Sequence, residues 1–81
     1  MDTTSKTIEL IAITCSLDVN KIEVHTNLKK MNVDSLDIVE VIMELEEEFK
    51  IEIADENMTD MFQVSEIIRQ VEIGIGAKVK C

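Results

Sequence analysis

The stretch DSLDIVEVIMELEEEF, residues 34–49, sets the strongest limit on the fold, because its apolar residues recur at helical spacing. With successive side chains about 100° apart, Ile38, Ile42, Leu45 and Phe49 fall on one side. Asp37, Glu40, Glu44, Glu47 and Glu48 fall on the other, with Leu36 and Met43 along the border of that acidic face. Glu46 lies outside the acidic group, beside the apolar side. Such a stripe is stable only when buried against further elements of the same kind.

Those elements are legible on both sides of it. Thr3, Thr4 and Ser5 offer N-cap hydroxyls ahead of Ile8, Ile11, Ala12 and Cys15, which predicts a first helix ending near Cys15. From Ser16 to Val33 the periodicity lapses, and Leu17, Val19, Ile22, Val24, Leu28 and Met31 read as anchors pinning a long loop across a core. After Ile51 and Ile53, Asp55 is placed to cap a short third helix carrying Met58 and Met61. Val64, Ile67, Ile68 and Val71 mark a fourth helix, with Gly74 as its expected stop and IGAKVKC as a frayed end. The expected fold is all-α: a small four-helix bundle, three longer helices plus one short helix, with a long loop between the first and second. One domain covers residues 1–81, with no internal repeat.

Composition agrees and excludes several functions. The chain has 81 residues, 46% of them hydrophobic, enough for one modest core and too few for an enzyme with a deep cleft. Phe49 and Phe62 are its only aromatics, so Ile, Leu, Val and Met must build the core. Seventeen acidic against eight basic residues give a net charge of -9, a field that repels nucleic-acid phosphates and anionic membranes and favours basic protein partners. Cys15 and Cys81 have neither zinc-site nor disulfide-framework spacing and are expected as reduced thiols. No run reaches transmembrane length, and the N-terminus, with acidic Asp2, lacks the basic start and apolar run of a signal peptide, so a mature protein beginning near Met1 without stable membrane insertion is expected. DENMTDMF lacks the glycine and terminal glutamate of a calcium loop, and no metal site is expected.

Ser35 is the residue with chemical potential. If the Asp34 carboxylate accepts the Asp37 N–H, Asp34 is the cap and Ser35 takes the first helical position, its hydroxyl pointing outward. A phosphate ester there meets free N–H groups at the electropositive helix end. The plainer alternative makes Ser35 itself the cap. A nucleophilic triad has no support, since His25 is the only histidine and Ser35 lies in no G-x-S-x-G context, so no catalytic residue is assigned.

DSLDIVEVIMELEEEFKIEI, extended through Leu45, Glu46, Glu47, Glu48 and Phe49 to Ile51, Ile53 and ADE, resembles the prosthetic-group region of acyl carrier proteins. The likeness is strongest to the free-standing type of bacterial and organellar fatty-acid synthesis and runs loosely over nearly the whole chain. It implies that a phosphopantetheinyl transferase, using coenzyme A and a divalent cation, attaches 4'-phosphopantetheine to Ser35, flanked by Asp34 and Leu36. The carrier holds growing acyl chains as thioesters on the arm and catalyses nothing. It is expected as a cytoplasmic monomer that presents its cargo to fatty-acid synthesis enzymes with basic docking patches.

By the same resemblance Asp37, Glu40, Met43, Glu44, Glu47 and Glu48 form the partner-binding face, while Ile42, Leu45, Phe49, Ile53, Met58, Met61, Ile67 and Val71 line an acyl cleft. A polyketide, specialised lipid or aminoacyl carrier shares this chemistry, and an unmodified acidic helical adaptor is the alternative of another class. The sequence departs from the family at four places. Asn32 followed by Val33 replaces a frequent glycine two residues before the Asp34-Ser35 pair, and Lys29 with Lys30 replaces an acidic pair. Ala54 replaces a common proline, and Phe62 replaces a threonine that often caps the last helix.

Overall fold

The computed structural model describes residues 2–53 and 61–79. Among them are three α-helices: α1, Thr3–Cys15; α2, Ser35–Phe49; and α3, Val64–Val79. There is no strand among the described residues beyond an isolated antiparallel bridge, Asn27 to Gln63. The class is all-α, as expected. The short helix expected from Asp55 through Met58 lies outside the described residues; Met61, at its far end, is buried but not helical.

α1 begins one residue earlier than its hydroxyls suggested. Asp2, not Thr3, Thr4 or Ser5, is the cap: its carboxylate accepts the Ser5 N–H at 2.7 Å, and that bond holds its pKa below the ordinary 3.8. Thr3, Thr4 and Ser5 lie inside the helix, where their hydroxyls no longer face the free N–H groups. At the other end Ser16 takes the left-handed conformation and its N–H returns to the carbonyls of Ala12 and Ile13.

The link from α1 to α2 is more structured than a plain loop. It carries two 3-10 turns, Val19–Lys21 and Leu28–Met31. Ile22, Leu28 and Val33 are buried, and Leu17 and Met31 pack partly against the core. Val19 and Val24, expected as anchors, are exposed instead: Val19 sits within a turn that Asp18 caps, which spends its local geometry on the backbone. The bridge fastens the second half of the link to α3, with Leu28 N–H donating to Phe62 O at 2.7 Å and Val64 N–H to Thr26 O at 3.0 Å.

The three helices touch pairwise around one aliphatic core. α1 and α2 run antiparallel, since Lys6 near the start of α1 meets Glu48 near the end of α2 at 3.7 Å, while Cys15 at the end of α1 feels Asp37 and Glu40 in α2. α2 contributes Ile38, Val41, Ile42 and Leu45, all fully buried, with Phe49 half-buried. Val41 widens the apolar stripe beyond the residues the periodicity singled out. Val64, Ile67, Ile68 and Val71 are buried in α3 as their spacing predicts.

Gly74 does not stop α3, and the expected frayed end is helical through Val79. Neither glycine has a positive φ. A Cβ at Gly74 would stand 2.9 Å from Ile51 Cδ1 and 3.1 Å from Ile51 Cβ, so the glycine lets the segment after α2 press onto the α3 backbone. Of the residues expected to line a cleft, Ile42, Leu45, Ile53, Met61, Ile67 and Val71 are buried in the common core; Met58 lies outside the described residues.

Candidate functional site

The approach to Ser35 is built from local geometry. Asn27 accepts the Lys29 N–H at 3.0 Å and starts the second 3-10 turn; Asn32 ends it at φ 65°, its N–H returning to Leu28 O and Lys29 O. Asparagine tolerates this left-handed conformation better than most residues, so the turn survives without glycine. Val33 then buries its side chain and donates its N–H to Leu28 O at 3.2 Å. The chain therefore enters α2 from a fixed direction.

Asp34 and Asp37 form a reciprocal capping box. The Asp34 carboxylate accepts the Asp37 N–H at 3.0 Å, and the Asp37 carboxylate accepts the Asp34 N–H at 3.2 Å. Ser35 is thus the first residue of α2 and not its cap, and it is exposed. The Ile38 N–H donates to Asp34 O at 3.1 Å. Neither Ser35 N–H nor Leu36 N–H has an acceptor among the described residues, which leaves two donors facing solvent at the positive end of the helix dipole. A serine-linked phosphodiester fits this setting: exposed oxygen, free donors and a backbone that the cap holds still. The nearby Asp34 and Asp37 charges oppose it, but each is already engaged by a backbone N–H.

Down the outer face of α2, Glu40, Glu44, Glu47 and Glu48 are exposed and Asp37 is half-buried. Leu36 and Met43 are 73% and 59% exposed, which is high for side chains that gain by burial and puts both on the surface beside the acids. The last turn of α2 holds glutamates and no basic residue, although the dipole there favours positive charge. The acids therefore cost helix stability where they stand. Among the described residues, Glu48 alone of these acids forms an ion pair, with Lys6 at 3.7 Å.

Some features around α2 were not legible beforehand. Glu46, placed beside the core by its angle alone, accepts the Ile53 N–H at 2.8 Å. The Lys29 amine lies 5.7 Å from the centroid of the Phe62 ring. Cys15 is half-buried, and burial first, then the Asp37, Glu40 and Asp34 carboxylates, push its thiol up to about 11. The Lys29 and Cys15 features depend on residues remote in sequence, and the Glu46 bond depends on how the chain turns after α2, so no local motif announces them. Among the described residues no His, Cys, Asp and Glu grouping could hold a metal ion, and no helix is long and apolar enough to cross a membrane.

Comparison with known proteins agrees with this geometry. The family described as phosphopantetheine attachment site matches residues 5–71. The acyl carrier protein of Helicobacter hepaticus is 34% identical over 73 residues, which cover 89% of this chain and 96% of that protein. That of Wolinella succinogenes is 42% identical over 59 residues, 69% of this chain and 78% of that protein. That of Phytoplasma mali is 35% identical over 65 residues, 79% and 77% respectively. A match spanning the capped serine, the acidic helix and the core on either side means that the chain belongs to the phosphopantetheine-attachment family that includes the acyl carrier proteins.

Proposed function

We propose that this chain is a discrete acyl carrier of fatty-acid synthesis, with 4'-phosphopantetheine joined to Ser35 through a phosphodiester. The observation that carries the assignment to Ser35 is its place as the exposed first residue of α2, beside two N–H groups without acceptors. In the loading step the serine oxygen displaces the nucleotide half of coenzyme A at the pyrophosphate, and a phosphopantetheinyl transferase with a divalent cation performs the exchange. Asp34 fixes the turn that presents the serine, and Leu36 gives the transferase an apolar hold beside it. The arm supplies a thiol on a flexible tether, which the half-buried Cys15 does not provide.

The carrier itself catalyses nothing. Asp37, Glu40, Glu44, Glu47 and Glu48 steer Arg and Lys patches of successive enzymes, while Leu36 and Met43 are the apolar contacts that slow dissociation. Affinity built on exposed charge is weak and salt-sensitive, as suits a shuttle. The cargo shelters among the core residues of α2 and α3, Ile42, Leu45, Ile67 and Val71. The protein works as a cytoplasmic monomer.

The test is intact-protein mass spectrometry after incubation with coenzyme A, magnesium and a broad-specificity phosphopantetheinyl transferase. The expected result is a gain of one phosphopantetheine in the native sequence and none in Ser35→Ala. No gain, with a known carrier modified in the same tube, would favour an unmodified acidic adaptor.

A further inference from the structure

The exposed charge around α2 is not all of one sign. Lys29 and Lys30 occupy the 3-10 turn that leads, through Asn32 and Val33, directly into Ser35, and both are exposed. The ion pairs among the described residues are Lys6 with Glu9 and Glu48, and Arg69 with Glu66, so neither of these two lysines is neutralised there. In a chain of net charge -9, two lysines one turn ahead of the acidic helix form no ion pair among the described residues.

Lys29 also has a neighbour that favours one position for its charge. Its amine stands over the Phe62 ring, and Phe62 is tied to the same turn by the 2.7 Å bond from Leu28 N–H to its carbonyl. A tethered ammonium keeps its charge at one point of the surface instead of sweeping through solvent. The turn thus presents a positive spot just ahead of the start of α2 and its acids.

We infer that the docking surface is bipolar: the partner it fits is a protein with Arg or Lys opposite Asp37, Glu40, Glu44 and Glu47, apolar sockets for Leu36 and Met43, and a carboxylate opposite Lys29 and Lys30. A uniformly basic patch wide enough to cover both regions sets like charges against the lysines, and like-charge juxtaposition is how surfaces reject wrong partners. An anionic lipid surface or a nucleic acid meets two lysines and an acidic field that outweighs them. The inference rests on reading α2 as the docking face, and adds which partners that face refuses.

Two synthetic helical peptides test it. Both carry the same Arg and Leu residues to match α2, and they differ only at one end, a Glu pair in one and a Lys pair in the other. Each is titrated at low salt against the full chain labelled with 15N, before and after treatment with the transferase, so a chain that fails to load still reports on the surface. The native sequence is expected to prefer the Glu-ended peptide by about three- to tenfold, the scale of two exposed ion pairs, with shifts at Lys29, Lys30 and Leu36 and a smaller preference at high salt. The double variant Lys29→Glu with Lys30→Glu should reverse the preference. Lys30→Glu alone, which keeps the Phe62 contact, should narrow it and covers the case in which the double variant fails to fold. Equal binding of the two peptides, or a preference unchanged in the variants, overturns the inference.

Discussion

The carboxylate of Glu46 accepts the backbone N–H of Ile53 at 2.8 Å, while its own carbonyl accepts the N–H of Ile51 at 3.1 Å. One residue of α2 therefore holds the segment that follows the helix by both side chain and main chain, and keeps Ile51 and Ile53 buried. Removing the acceptor leaves a part-buried N–H unsatisfied, so Glu46→Ala should lose about 1–3 kcal/mol in urea unfolding. Glu46→Gln retains an acceptor oxygen and should lose less. Amide exchange at Ile53 should accelerate in the alanine variant and much less in the glutamine one; equal loss in both would remove the bond from the account.

The same segment sets the outcome at Gly74. Alanine gains about 1 kcal/mol over glycine inside a helix, whereas overpacking costs about 1–3 kcal/mol. At Gly74 the new Cβ meets Ile51 at 2.9 and 3.1 Å, and Ile51 is held from the other side by Glu46. Gly74→Ala should therefore destabilise by about 1 kcal/mol, and become neutral or stabilising in an Ile51→Ala background. Gly76, whose added Cβ meets nothing within 4 Å, serves as the control: Gly76→Ala should stabilise α3.

Gly74 also shows where a sequence stops being readable. A glycine after an apolar run looks like a helix stop, and what overrides that reading is Ile51, brought in from the far side of α2. The faces of α2 and the Asp34 cap could be read because each depends on residues within a turn or two of one another. Asn32 in the left-handed conformation belongs to the same class. Asp2 replaced the expected hydroxyls as the α1 cap because several neighbouring oxygens compete for the same donors, and spacing alone does not rank them. The exposed Val19 and Val24 show that an apolar residue inside a tight turn follows the backbone's direction. The acids were legible as a strip; the Lys29 and Phe62 contact was not, since the bridge from Asn27 to Gln63 creates it.

Thr7 is fully buried, and its hydroxyl has no hydrogen-bond partner among the described residues. An unsatisfied buried hydroxyl costs about 1–3 kcal/mol, and valine has nearly the same shape without it. Thr7→Val should accordingly raise stability by about that amount, read from the urea midpoint at constant slope. Thr7→Ala, which also removes the methyl group, should be less stable than Thr7→Val because it opens a void. A valine variant no more stable than the native chain would mean that the hydroxyl is satisfied in solution.

Cys15 lies at the end of α1 beside the start of α2, the end that carries Ser35, and its thiol is pushed from 9.0 up to about 11. Burial is the larger cause and the Asp37, Glu40 and Asp34 charges add to it. The thiolate is the nucleophile, so a protonated Cys15 does not compete for acyl groups carried nearby. In a Cys81→Ser background, alkylation by iodoacetamide should stay slow through pH 9 and rise only toward pH 11, whereas the urea-unfolded chain should react with the onset of an ordinary thiol. Glu40→Gln should move the folded onset down, and only in part, because burial remains. A raised folded-state pKa favours the protonated fold, so this contribution to stability is complete below pH 9 and is lost as the pH rises through about 11. An alkylation onset that is the same in folded and unfolded chains would refute the shielding of Cys15.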